Sequence, residues 1–151
     1  MTDYRHMVSQ WLAAKVPGAK LDQSGMGMVR HNEQTVVIIE VPTGSDTCHL
    51  YALVAPLPED EREAALLAAL ELNRFGRPLS GCWIAWENDI HMLTLCHNLH
   101  IPSSDSISFG QALDNFTMAL EQVRAIFSEN GDGDADLQQT GTQAMAAGIR
   151  G

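Results

Sequence analysis

The spacing of apolar residues near the start of the chain predicts an amphipathic helix. Between Tyr4 and Leu12, apolar residues recur at i, i+3, i+4, i+7 and i+8, which places them on one helical face. Thr2 or Asp3 can cap the first turn, and Pro17-Gly18 ends the pattern. We therefore expect the first helix to bury one stripe against the rest of the domain.

Two further helices are predicted later in the chain. One runs from Pro58 to about Asn73, because proline and acidic residues favour a first helical turn. The other follows Ser108, which has capping-box spacing to Gln111. Apolar residues in this last helix alternate at spacings of four and three and predict one long buried stripe. They are Phe109, Leu113, Phe116, Leu120, Val123 and Phe127.

Five segments between these helices have the composition of strands, and Thr35–Val41 is the clearest because it is a β-branched run. The others are Met26–Val29, Cys48–Ala55, Cys82–Trp86 and Ile90–His100. Short polar turns separate neighbours, which favours antiparallel pairing, and the last two strands form a hairpin. The order is α-β-β-β-α-β-β-α, and it predicts an α+β fold in which helices cover one face of an antiparallel sheet.

The chain is strongly acidic, and this narrows the range of partners. Its 151 residues carry a formal charge of −10, and residues 1–130 hold 8 basic against 16 acidic side chains. An acidic body repels phosphate, so neither nucleic acid nor an anionic membrane is an expected partner. The acidity favours solubility and a basic or neutral partner.

Composition predicts one domain over residues 1–130 and a flexible acidic tail over residues 131–151. The tail begins Gly-Asp-Gly-Asp-Ala-Asp and is poor in large apolar residues. The start of the sequence has no basic region followed by an apolar run, so no signal peptide is expected. No apolar run approaches the roughly 20 residues that span a bilayer. Three cysteines then predict free thiols in a reducing cytoplasm.

Residues that could bind metal or catalyse a reaction do not form a recognisable site. On a strand, Cys96 and His100 would share a face but lie about 13 Å apart, which is too far for one zinc ion. The acidic run Asp132–Asp136 begins like a calcium loop but lacks its glycine and closing glutamate. No nucleophile elbow or phosphate loop is present. The sequence predicts no enzyme, metal or cofactor.

Trp83 and Trp86 lie three residues apart on one predicted strand, so their side chains point to opposite faces. One can enter the core while the other faces outward as part of a protein interface. The alternative is that helices of the same chain cover both rings. The apolar stripe around Trp11 is likewise either plain core or part of a peptide-binding groove.

The junction between the second helix and the fourth strand carries a recognisable motif. Residues 70–79 read Leu-Glu-Leu-Asn-Arg-Phe-Gly-Arg-Pro-Leu. This segment resembles the Leu-x-Leu-Asn-x-Phe-Gly-x-Pro-Leu signature of class I type III secretion chaperones, the Tir-chaperone (CesT-like) family. The resemblance extends over residues 4–128 through the element order, the size, the acidity and the long last helix.

This resemblance implies a cytoplasmic bacterial homodimer without catalytic activity. Such chaperones bind the N-terminal chaperone-binding segment of a secreted effector in extended form and keep it soluble and secretion-competent. The secretion ATPase is a further partner that the resemblance allows. The implied effector-binding residues lie on the first helix and the early strands: Trp11, Leu12, Val29, Val37, Ile39 and Leu53. The implied dimer interface lies on the second helix and the strand after it: Leu72, Leu79, Cys82, Trp83, Ile84 and Trp86.

Two other classes of function stay open at this point. One is a homodimeric adaptor on the same scaffold, which would sequester a regulator of secretion instead of delivering an effector. The other is a small enzyme or ligand-binding domain. The identity of the bound partner separates the first from a chaperone, and a ligand-induced shift in melting temperature would reveal the second.

Overall fold

A computed structural model describes residues 1–74 and 79–128, which form three helices, five strands and one 3-10 turn. The helices are α1 (Tyr4–Lys15), α2 (Arg62–Leu72) and α3 (Ser106–Ser128). The strands are β1 (Met26–Asn32), β2 (Thr35–Glu40), β3 (Thr47–Pro56), β4 (Trp83–Glu87) and β5 (Met92–His100). Ile101–Ser103 is the 3-10 turn. The predicted α+β class and element order are confirmed.

The five strands form one antiparallel sheet in the order β1-β2-β3-β5-β4. The longest pairing joins β3 to β5, from Thr47 opposite His100 to Pro56 opposite Met92. A bulge between Leu53 and Ala55 interrupts it. Strands β1 and β4 therefore form the two edges of the sheet, where backbone groups are not paired with another strand.

Strand alternation divides the apolar side chains between the two faces of the sheet. The larger cluster lies on the face covered by the helices and includes Leu50, Leu95 and the α3 residues Phe109 and Phe116, all at most 1% exposed. The predicted α3 stripe is buried along its whole length. A smaller cluster lies on the opposite face: Met26, Ile38, Tyr51, Leu53 and Met92.

The cap of α3 corrects one prediction. The helix begins at Ser106, and Asp105 precedes it, so Ser108 lies inside the first turn and is not the cap. Asp105 Oδ1 accepts from the Ser108 amide at 2.8 Å, and Ser108 Oγ accepts from the Asp105 amide at 2.8 Å. This reciprocal pair is a capping box that lies three residues N-terminal to the predicted one. Asp3 caps α1 by accepting from the His6 amide.

Two other element boundaries differ from the prediction by three residues or more. Helix α2 starts at Arg62 instead of Pro58, because Pro58 to Glu61 first close a turn through the Glu61 amide and the Pro58 carbonyl. Strand β1 continues to Asn32 instead of ending at Val29, so the turn to β2 is only two residues long. The predicted turn residues Phe75–Pro78 and the predicted tail 131–151 lie outside the described residues.

Arg5 on α1 ties two loops to the end of the sheet. Its guanidinium donates to the carbonyl oxygens of Val41 at 2.9 Å and Ser24 at 2.7 Å, and to Thr43 Oγ1 at 2.9 Å. Gly25, with φ of +89°, lies beneath this guanidinium. These contacts fix the loop that leads into β1, and with it the position of the β1 edge.

Candidate functional site

The start of the β1 edge is closed by Asp22. Its carboxylate accepts from the Met26 amide at 3.1 Å, and its own amide donates to the Met26 carbonyl at 2.7 Å. Both backbone groups of Met26 that point away from β2 are therefore occupied. The β1–β2 ladder starts on the other side, with the Val41 amide donating to the Gly25 carbonyl at 2.8 Å.

Further along, the β1 edge is open. In an antiparallel pair, residues whose backbone groups face the partner alternate with residues whose groups face away. The Gly25 carbonyl faces β2, and the backbone groups of Met26 face away from it. By the same alternation, the backbone groups of Met28 and Arg30 face away from β2. Among the described residues, none bonds to these outward groups. The open stretch ends at the bulge between Arg30 and Asn32.

Two exposed methionines lie on either side of the open edge. Met28 pairs with Ile38 across the sheet, so its side chain lies on the face opposite the helices, and it is 54% exposed. Met118 is 59% exposed on α3. It lies four residues after Asp114 and three before Glu121, and these spacings place all three on one helical face.

Two side-chain contacts place this face of α3 beside β1. Asp114 accepts from Lys15 Nζ at 2.7 Å, and Glu121 Oε1 lies 3.1 Å from His31 Nε2 at the end of β1. Met118 therefore lies between the contact to the end of α1 and the contact to the end of β1. We define the β1 groove as the open edge at Met28 and Arg30 together with Met118.

The opposite edge of the sheet is closed at Ile84 by a side chain. The Asn73 amide accepts from the Ile84 backbone amide at 2.7 Å and donates to the Ile84 carbonyl at 3.0 Å. Asn73 is the C-cap residue of α2 and belongs to the motif at residues 70–79. It therefore occupies both outward backbone groups of Ile84, the second residue of β4, as a neighbouring strand would.

Helix α2 is apolar but largely uncovered. Ala69 is its only buried residue, while Leu67 and Leu70 are 58% and 66% exposed. They are three residues apart and share one face of the helix. Contiguous exposed apolar residues on a helix indicate a protein interface. Sequence reasoning missed both leucines, although the run Ala-Ala-Leu-Leu-Ala-Ala-Leu is too apolar for a helix with a solvated face.

The six predicted effector-binding residues do not form one open surface. Leu12, Val29, Val37 and Ile39 lie in the main cluster at 0% to 7% exposure, and Leu53 lies on the opposite face at 1%. Trp11 is half-buried, with its ring 6.1 Å from that of Phe109. Direct contact of the five buried side chains with a peptide would require the core to open. The accessible surface on the same strands is Met28 and Arg30.

The six predicted interface residues divide in the same way. Leu79, Cys82 and Ile84 are buried, and Leu72 and Trp86 are half-buried against the main cluster. The Trp86 ring lies under Arg62, whose guanidinium carbon is 5.1 Å from the ring centre. Trp83 points to the opposite face, as the spacing predicted, and is 38% exposed. It pairs with Cys96 across the sheet.

The ionisable side chains form no cluster for metal binding in the part of the chain that the structure describes. No group of three or more His, Cys, Asp or Glu residues could hold a metal ion there. Burial raises the pKa of the Cys48 thiol to about 12 and that of Cys82 to about 11, so both are protonated at neutral pH. Burial also raises the pKa of Cys96. Over residues 1–74 and 79–128, no helix is long and apolar enough to cross a bilayer.

Comparison with known proteins gives one family match. A model of the Tir chaperone protein (CesT) family matches residues 12–124. The match covers both edges of the sheet, the exposed leucines of α2 and nearly all of α3. A sequence search of curated proteins gives no match.

Solved structures of the same fold include several protein complexes. The ExsC–ExsE complex matches with a TM-score of 0.69 at 18% identity, covering 82% of this chain and 96% of that one. The HopA1–SchA chaperone–effector complex matches at 0.63 and 9% identity, covering 81% and 93%. The Yersinia pestis type III secretion chaperone SycH, in complex with a fragment of YscM2, matches at 0.61 and 18% identity, covering 80% and 99%. Other structures with this fold are not described as chaperones, so the fold alone does not define the function.

Proposed function

This chain belongs to the Tir chaperone protein (CesT) family, and from that premise we propose that it is a type III secretion chaperone. It binds the N-terminal chaperone-binding segment of an effector in extended form and keeps that segment soluble and secretion-competent. The observation that carries this binding mode is the β1 groove, an open strand edge between two exposed methionines. Among neighbours of the same fold, the HopA1–SchA structure is a chaperone–effector complex.

The β1 groove suits an extended segment for two physical reasons. The outward backbone groups of Met28 and Arg30 can pair with a passing strand, which gives affinity with little demand on sequence. Side chains of that strand alternate between the two faces of the sheet. One set then meets Met28 and the other set meets Met118. Methionine is unbranched and polarizable, so both can adapt to different apolar anchors.

Charge also favours this role. Residues 1–130 carry 8 basic against 16 acidic side chains, and the resulting field keeps an empty chaperone soluble despite its exposed apolar groups. It attracts a basic segment, does not repel a neutral one, and repels nucleic acid and anionic membranes. We infer a cytoplasmic protein without catalytic activity or cofactor, with the secretion ATPase as a further partner.

We also propose that the chain is a homodimer whose interface includes Leu67, Leu70 and Trp83. A two-fold interface brings the same patch of both protomers together, so exposed apolar residues on α2 and β4 would cover their own copies. The predicted interface residues Leu72, Leu79, Cys82, Ile84 and Trp86 lie beneath or beside this surface and support it by packing. A dimer would carry two β1 grooves.

The dimer is tested by mass measurement in solution. Leu67→Glu with Leu70→Glu places carboxylates in the interface, and light scattering after size-exclusion chromatography should then give the mass of a single chain. Ile126→Glu is the control, because Ile126 is 43% exposed on α3 and should leave the dimer intact. A monomeric wild-type chain would contradict this part of the proposal.

The binding mode is tested by removing one backbone amide. Arg30→Pro deletes the outward N–H at the open edge without removing a ladder bond to β2, and proline is tolerated on edge strands in this position. Arg30→Ala removes the same side chain but keeps the N–H. The chain is tagged, expressed in its native host and isolated with its partner, which mass spectrometry identifies.

We expect wild type and Arg30→Ala to retain one secreted protein through its N-terminal segment, and Arg30→Pro to lose it. Met28→Asp and Met118→Asp should each weaken retention, while Ile107→Asp, on an exposed residue at the start of α3, should not. Full retention by a folded Arg30→Pro chain would show that the segment does not use this edge. A regulator of secretion as the retained protein would replace the effector chaperone with the adaptor.

A further inference from the structure

The Asn73 side chain makes two hydrogen bonds to the β4 edge, and packing alone would not require them. A side-chain amide has one acceptor and one donor group, and here both are used on a single residue, Ile84. The two distances, 2.7 and 3.0 Å, are those of a strand ladder. Asn73 is half-buried, so these bonds are partly shielded from water.

Both ends of α2 are fastened to this strand. Asn73 follows the last residue of the helix and binds Ile84, while Arg62, its first residue, stacks over Trp86. The Asn73 backbone amide itself is held by the Ala69 carbonyl at 3.1 Å, which fixes the side chain at the helix end. The position of α2 and the closure of the β4 edge are therefore coupled.

We propose that Asn73 is a specificity-determining residue that closes the β4 edge to strand pairing and leaves β1 as the edge for an extended segment. The assignment of the β1 edge to a segment rests on the proposed function, whereas the closure of β4 does not. An unprotected strand edge pairs readily with another chain, and proteins block such edges by several means. A side-chain amide that occupies both outward backbone groups of Ile84 is such a block.

Amide hydrogen exchange of the full chain, followed by NMR, tests the closure directly. In Asn73→Ala, the Ile84 amide loses its acceptor and should exchange roughly fivefold to tenfold faster, as expected for loss of one hydrogen bond. The Ala85 amide pairs with β5 and should exchange at its wild-type rate if the sheet is intact. Asn73→Asp keeps an acceptor for the Ile84 amide, so exchange at Ile84 should stay slow even though the donor to the Ile84 carbonyl is lost.

The consequence for pairing is tested on the chain alone by sedimentation velocity over a range of concentrations. Asn73→Ala should form concentration-dependent species larger than those of wild type, because the freed edge can pair with another copy. Asn88→Ala, at an exposed asparagine in the turn between β4 and β5, should behave as wild type. Unchanged exchange at Ile84, or faster exchange without any larger species, would overturn the proposal.

These measurements separate the inference from the proposed function. If the wild-type chain retains no secreted protein, the chaperone assignment fails, while the exchange and sedimentation results still decide whether Asn73 closes the edge. If Arg30→Pro abolishes retention and Asn73→Ala opens β4, the two edges have the different roles that we propose.

Discussion

Arg124 on α3 donates two hydrogen bonds to the carbonyl oxygen of Leu53, at 3.1 Å from Nε and 2.7 Å from Nη2. The β2–β3 ladder pairs residues only as far as Ile38 opposite Tyr51, and Leu53, two residues further along β3, lies beyond its end. The same guanidinium donates to Thr35 Oγ1 at 2.6 Å. One side chain thus satisfies the Leu53 carbonyl and joins α3 to both β2 and β3.

Replacing Arg124 should destabilise the fold strongly. Arg124→Met removes the donors and leaves the Leu53 carbonyl without a partner, which should cost about 2–4 kcal/mol of the free energy of unfolding. Arg124→Lys should recover only part of this, because one ammonium cannot reproduce the planar fork. Urea denaturation followed by circular dichroism measures both. Arg74→Lys is the exposed control, and equal stabilities for all variants would contradict this role.

The two loop glycines Gly25 and Gly44 should respond differently to alanine. Both have positive φ, +89° and +74°, so each substitution has a backbone cost of about 1–2 kcal/mol. At Gly44 a Cβ would meet nothing within 4 Å, so the backbone cost is the whole cost of the substitution. At Gly25 the Cβ would collide with the Val41 carbonyl oxygen and with Arg5 Nε.

We therefore expect Gly25→Ala to be the more destabilising of the pair by a further 1–3 kcal/mol, about the cost of overpacking a tight site. Thermal unfolding of the two variants side by side makes the comparison, because Gly44→Ala serves as the control for backbone strain. Equal losses of stability would show that the loop before β1 moves freely and that Arg5 does not hold it.

The sequence predicted the architecture because its strongest signals are local. The α3 stripe from Phe109 to Phe127 has helical period and is buried, and the β-branched run at Thr35 is a strand. The error at the start of α3 is also local, because Asp105 and Ser108 are two candidate caps for the same helix. Asp105 is a better cap than Ser108, because the pair bonds reciprocally and adds three residues to the start of the helix.

The candidate site was harder to predict because it depends on relations across the fold. The family resemblance implied that Leu12 and Ile39 bind an effector, but only the packing of α1 and α3 shows that they are core. Met118 became relevant only when two side-chain contacts, Lys15 to Asp114 and His31 to Glu121, placed it beside β1. Asn73 lies 11 residues from Ile84 in sequence, and hydropathy carries no information about which strand edge a side chain closes.

The capping box at Asp105 predicts a dependence of stability on pH. Hydrogen bonds from the Ser108 backbone amide and hydroxyl hold the pKa of the Asp105 carboxyl below its ordinary value of 3.8. A carboxyl whose folded pKa is lowered stabilises the protein above its unfolded pKa, and this contribution disappears as pH falls through the folded pKa. The stabilisation is therefore complete at neutral pH and is lost below about pH 4.

Asp105→Ala should accordingly lower the melting temperature at pH 7 and have a progressively smaller effect as pH falls below 4. Thermal unfolding between pH 2.5 and 7 measures the difference from wild type. Asp60→Ala is a control at an exposed acidic residue outside the cap of α3. A difference between Asp105→Ala and wild type that stays constant over the whole range would show that the cap does not act through the ionised carboxylate.

The three thiols should react in an order set by burial. Cys48 is 0% exposed with a pKa of about 12, and Cys82 is 6% exposed with a pKa of about 11, so neither presents a thiolate near pH 8. Cys96 is half-buried next to Trp83 on the face opposite the helices, and burial raises its pKa as well. A thiol reagent at pH 8 should therefore label Cys96 first and Cys48 last.

Peptide mass spectrometry after timed labelling gives the order, and full labelling in denaturant confirms that all three thiols are available. If Trp83 lies in a dimer interface as proposed, Leu67→Glu with Leu70→Glu should speed labelling of Cys96, because separation of the protomers exposes its neighbour. Cys48 in the main cluster should keep its slow rate in the same variant, which makes it an internal control. Faster labelling of both Cys48 and Cys96 would instead indicate a loosened core and would contradict a specific effect of the interface on Cys96.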